Sequence, residues 1–99
     1  MIIFVDIDET ICESPESRDY SEAKPIQENI KKINDLFDGG DMIVYWTARG
    51  TGTGLDWRET TEKQFEEWGV KHHELRFGKP VYDLFIDDKY INAENFFKE

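Results

Sequence analysis

Positive charge is scarce in this chain. Twelve lysines and arginines stand against 22 aspartates and glutamates, a net charge of −10 over 99 residues. No basic stripe offers a footprint for a phosphate backbone, which argues against nucleic acid as a partner. There is one cysteine, Cys12, so an internal disulfide is excluded and a reducing compartment fits. No apolar stretch reaches the length of a membrane span. The run Ile2 to Val5 is too short for a secretory h-region and has no basic leader. These absences point to a cytoplasmic protein with no membrane segment. Repeats, linkers and low-complexity tracts are missing too, so residues 1–99 read as one domain with a single core.

What is present alternates between strand and helix. Ile2 to Val5 is a short continuous apolar run, the pattern of a strand buried on both faces. Residues 11–24 are polar and mixed and read as a loop or flap. Pro25 then opens a helix, where its missing N–H costs nothing. Ile26, Ile30, Ile33, Leu36 and Phe37 recur along one face, and Gly39-Gly40 ends it. Met42 to Trp46 is a second apolar strand, followed by a mobile, glycine-rich rim loop over 50–54. That loop lacks the Gly-Lys-[Ser/Thr] ending of a P-loop. Trp57, Thr61, Phe65 and Trp68 mark a helix over 56–68 that stops at Gly69. Val70 to Phe77 holds a short strand, Gly78-Lys79-Pro80 turns, and Tyr82 to Ile86 is the last strong strand. Asn92 caps a terminal helix carrying Phe96 and Phe97. The alternation predicts an α/β fold with a mostly parallel sheet and right-handed crossovers.

Three of these strands end in polar residues of one theme. The first delivers Asp6 and Asp8, the second Thr47, the last Asp87 and Asp88, and Lys79 lies just ahead of the last. In a parallel sheet those ends share one edge, where ligands bind. Two like charges 4 Å apart repel by about 4 kcal/mol at an effective dielectric near 20. A hard divalent cation relieves that repulsion, and few carboxylates with oxygen donors suit Mg²⁺. Lys79 and the Thr47 hydroxyl are then partners for phosphate oxygens.

In that order, Asp6-Ile7-Asp8-Glu9-Thr10, Thr47, Lys79 and Asp87-Asp88 resemble the four motifs of the haloacid dehalogenase superfamily of phosphohydrolases. The resemblance covers essentially the whole chain. It implies a single three-layer Rossmann-like domain. Asp6 would be the nucleophile forming an aspartyl-phosphate, and Asp8 the general acid and base. Mg²⁺ would be held by the Asp6 carboxylate, the Asp8 carbonyl and the Asp87 carboxylate, with Asp88 direct or through water. Thr47 and Lys79 would hold the phosphoryl oxygens, and Thr10 would buttress the Asp8 loop. One departure is Glu9, where many relatives carry glycine, whose freedom of backbone angle suits a tight turn.

Other residues divide between readings. Arg49 is either a partner for a second substrate anion or one half of a surface salt bridge. His72-His73 point to opposite faces of a strand and read as surface rather than as a metal pair. Cys12, with no histidine near it in sequence, reads as a plain small side chain. Only residues 11–41 separate the first two strands, and a helix fills most of them, so no cap domain fits. A capless site calls for an oligomer that closes it or for a bulky substrate. Thr47-Ala48-Arg49-Gly50 and Lys79-Pro80 are also similar to small phosphatases associated with capsular polysaccharide biosynthesis, which suggests a sugar phosphate or similar small metabolite. The alternatives are a receiver-like phospho-accepting signalling domain and a non-catalytic binding module.

Overall fold

A computed structural model describes residues 1–98. Strands β1 (Ile2–Val5), β4 (Met42–Trp46) and β5 (Glu74–Arg76) form one parallel sheet in the order β1-β4-β5. Its register pairs Val5 with Tyr45 and Tyr45 with Leu75. Helix α1 (Gln27–Asp38) lies between β1 and β4 in the chain, and α2 (Arg58–Trp68) between β4 and β5. Parallel neighbours need such crossovers, because a tight turn cannot bring the chain back to its start. A small ribbon, β2 (Cys12–Glu13) against β3 (Lys24–Pro25), and a terminal helix, α3 (Ala93–Phe97), complete the fold.

The register explains the core. Val5, Ile43 and Tyr45 point to one face of the sheet, and Ile30 and Ile33 of α1 and Phe65 of α2 pack on them. Fully burying one such side chain is worth about 1.5–3 kcal/mol. The opposite face carries Phe4 and Trp46, edge to face at 6.1 Å, with the Arg76 guanidinium over Phe4. Ile2, on that same face, is 70% exposed.

Helix α1 begins two residues after Pro25. The proline belongs instead to the β2–β3 ribbon, opposite Cys12. An edge ribbon tolerates proline, whose lost donor faces away from the partner strand. Residues 11–24 are therefore a ribbon with a 3₁₀ turn at Tyr20–Glu22, not an open loop. Helix α2 stops as expected at Gly69, which takes φ +72 and returns its N–H to Phe65 and Glu66. Asn92 caps α3, its side chain accepting the Glu94 N–H at 2.9 Å.

Tyr82 to Ile86 is not a strand. Among the described residues the segment joins no ladder and bends at Asp83, and every residue from 81 to 92 is exposed, Leu84 at 75% and Ile86 at 87%. Its apolar pattern suits a buried strand. Only residues 77–81 connect it to β5, too few to carry it across the sheet to the open edge of β1.

Candidate active site

The carboxyl ends of β1 and β4 lie side by side. Asp6 leaves β1 half-exposed and faces Lys79, whose Nζ is 3.6 Å from its Oδ2. Lys79 is held from its backbone: its N–H donates to the Thr47 carbonyl at 3.1 Å, and its own carbonyl accepts from Thr51 Oγ1 at 2.8 Å. Thr47 itself is buried, and its hydroxyl oxygen accepts the Arg49 N–H at 3.1 Å. Burial pushes the Asp6 carboxyl above its ordinary pKa, with Asp8 adding to the effect. Lys79 and the Ile7 N–H pull the other way.

Asp8 is engaged differently. Arg49 donates Nη2 to Asp8 Oδ1 at 2.8 Å and Nε to Oδ2 at 3.0 Å, a paired approach that matches the planar guanidinium. Ser14 Oγ and Cys12 Sγ donate to the same Oδ1. Arg49 is only 2% exposed. Its Nη1 donates to Thr61 Oγ1 at 3.0 Å and to Gln64 Oε1 at 2.7 Å, and its plane lies against the Tyr20 ring. This corrects both expectations for Arg49. The group is neither exposed nor free for a second anion; it is the centre of a buried polar cluster that orients Asp8. The sequence carried one faint sign of this: Thr61 and Gln64 are polar positions three apart on the inward face of α2.

Asp87 and Asp88 do not join the others. Both stand exposed on the unpaired segment, and a hydrogen bond from Asp88 holds the Asp87 carboxyl below its usual range. Among the described residues no three His, Cys, Asp or Glu side chains gather as a cation site.

Glu9 does take the turn that glycine would favour, at φ +62, with its Oε1 accepting the Ser14 N–H. Thr10 contributes its carbonyl, which accepts from Asn29 Nδ2 at 2.9 Å. The rim loop carries its own hydrogen bonds, Gly54 N–H to the Gly50 carbonyl at 2.8 Å among them. Gly50 is required there: at φ +82, a Cβ would stand 2.1 Å from the Leu55 carbonyl oxygen. Between this loop and the residues before Lys79 lies an open cleft of about 410 Å³, walled by Leu55, Trp57, Arg58 and Phe77.

No protein-family model and no curated protein matches this chain. Among solved structures, a crystal structure of a structural-genomics target from Vibrio cholerae is similar. Its TM-score is 0.88 at 23% identity, covering 99% of this chain and 88% of that one. At that identity the likeness speaks to the fold alone.

The remaining assignments are structural. Cys12 is fully buried, and burial together with Asp8 pushes its thiol up to about 12, so it stays protonated. His73 is not a ligand: its Nδ1 accepts the Ile43 N–H at 3.0 Å and its ring stacks on Phe37. His73 is exposed as expected, and His72 is part-buried, packing edge-on against Phe65.

Proposed function

We propose that this chain is a phosphomonoester hydrolase of the haloacid dehalogenase type, acting on a small phosphorylated metabolite through Asp6. One observation carries the reading: a half-exposed carboxylate at the end of β1 faces a lysine ammonium whose backbone is tied to Thr47. The carboxylate and the ammonium come from separate places in the chain and face each other at the sheet edge where α/β folds bind ligands, next to the strand end that carries Thr47.

Asp6 attacks phosphorus, forming the Asp6 O–P bond as the P–O bond to the leaving group breaks. Lys79 balances the charge on the phosphoryl oxygens, and the Thr47 hydroxyl donates to one of them. The leaving oxygen takes a proton from Asp8. Water then attacks phosphorus, returning its proton to Asp8 and releasing Asp6 and inorganic phosphate. In the resting arrangement Asp8 only accepts hydrogen bonds, so before its turn as an acid it must take up a proton from solvent in place of one donor.

The reading includes a Mg²⁺ requirement and the family's three-layer, Rossmann-like form. The donors of a single chain do not fit the ion. Asp6 is present, but Asp87 and Asp88 are elsewhere, and Lys79 already faces the Asp6 carboxylate. The steps above therefore rest on the protein's own groups.

The test is hydrolysis of an aryl phosphate with Mg²⁺, with and without chelator, beside Asp6→Asn and Asp8→Asn. Turnover abolished by chelator and by Asp6→Asn supports the reading. Turnover that survives Asp6→Asn overturns the nucleophile. A long-lived phosphoenzyme without turnover supports a receiver-like domain instead.

A further inference from the structure

Two unsatisfied features of this chain are complementary. Among the described residues strand β1 lies at an edge of the sheet, paired with β4 alone, and carries exposed Ile2 and Phe4. Among the described residues the run Val81 to Ile86 is apolar apart from Asp83, joins no strand ladder and is exposed, and Tyr90 and Ile91 beyond it are exposed as well. Open edges and unpaired apolar segments are liabilities that proteins normally cover.

The segment cannot cover its own edge in the sense that would bring Asp87 to Asp6. Lys79 is pinned beside Thr47, at the carboxyl end of β4. From Lys79 to Tyr82 is three Cα steps, about 10 Å at full extension. A parallel strand beyond β1 would begin at least two strand spacings sideways, about 10 Å, and four residues down, about 13 Å. The straight line is roughly 16 Å, and it passes through the sheet. Parallel crossovers ordinarily take a dozen residues or more.

A second copy removes the constraint. We infer that two chains exchange the segment from Pro80 onward, so that residues 82–86 of each add as a parallel fourth strand to β1 of the other. The partner's Asp87 and Asp88 then arrive beside Asp6. Helix α3, which here rests on α1 through Phe96, Phe97 and Lys32, takes the same seat on the partner's α1. Exchange of an identical element is the low-cost route to a symmetric dimer. The apolar surface that two such arms withdraw from water is on the order of the ~1,600 Å² of a standard specific interface. The inference rests on the phosphatase reading for the role of Asp87, and on the fold alone for the exchange.

Each active site would then hold Asp6 from one chain and Asp87 from the other. The decisive experiment mixes Asp6→Asn and Asp87→Asn chains after joint unfolding and refolding. Half of the dimers are mixed, and each mixed dimer has one intact site. About a quarter of wild-type activity should return from two inactive parents. Sites built within one chain return none, which overturns the inference.

A second measurement avoids activity altogether. Light scattering should show a dimer for the wild type and a monomer for Leu84→Pro, because proline cannot join a ladder. Leu84 is exposed and unpaired in a single chain, so that change does not disturb the monomer's fold. Circular dichroism of Leu84→Pro checks that it remains folded. A wild-type monomer, or a Leu84→Pro dimer, overturns the exchange. A dimer that depends on Leu84 but shows no phosphatase activity keeps the exchange and discards the enzyme.

Discussion

Arg49 Nη2 lies 2.8 Å from Asp8 Oδ1, and the arginine side chain has no solvent exposure. A buried charge with five donors must place all of them, and this one does so through Asp8, Thr61, Gln64 and Cys12. The cluster ties α2 to the loop that follows β1. Stability and the orientation of Asp8 therefore share one set of hydrogen bonds.

Breaking that pair from one side should be costly. Arg49→Met leaves Asp8 without its counter-charge and is expected to lose about 3 kcal/mol in urea unfolding, since an uncompensated buried charge costs roughly 3–5 kcal/mol. Adding Asp8→Asn should recover part of that loss. With Asp8→Asn measured alone as well, a double variant whose loss equals the sum of the two single losses would show that the residues are not coupled.

Tyr45 makes the opposite case. Its ring is fully buried between Phe65 and His72, and its hydroxyl has no partner among the described residues. An orphaned buried hydroxyl costs about 1–3 kcal/mol. Tyr45→Phe should therefore raise stability by about 1 kcal/mol, read as a melting temperature several degrees higher. An unchanged or lower melting temperature would mean that the hydroxyl is satisfied in solution.

Glu9 sits at φ +62, a conformation that costs most residues about 1–2 kcal/mol. Glu9→Gly removes that strain but gives up the bond to the Ser14 N–H, which is exposed and worth less. The expected result is a gain of up to about 1 kcal/mol in thermal or urea unfolding. A loss would rank the Ser14 contact above the backbone term.

The His72 imidazole is held below 6.5 by burial, against a smaller opposing pull from the Val70 backbone. The unfolded chain therefore binds the proton more readily than the folded one. Stability should be complete above pH 6.5 and decline as the pH falls from there through the folded value. The wild type should lose more urea resistance between pH 7.5 and 5.5 than His72→Gln does. Equal losses would assign the decline to other groups.

Much of the fold is legible in the residues because burial leaves a local trace. Ile30 and Ile33 recur at helical spacing and are 2% exposed, and the apolar run from Met42 to Trp46 is β4. Pro25 misleads because a proline suits a helix start and an edge ribbon equally well, and the choice depends on what lies opposite. Arg49 misleads for a related reason. A lone arginine after a strand has no local signature of burial; its partners come from residues 8, 12, 61 and 64, which only the folded chain assembles.

By itself the sequence determined which stretches are apolar enough to be strands and helices, where Gly39 and Gly69 end the helices, and that Asp6 and Thr47 follow the first two sheet strands. Hydrophobic periodicity carries that information residue by residue. Only the tertiary structure decided that Arg49 turns inward to Asp8 and that Tyr82 to Ile86 finds no neighbour in its own sheet. Those outcomes depend on the reach of a five-residue connection and on a buried charge meeting its donors and acceptors, neither of which is written in a local pattern.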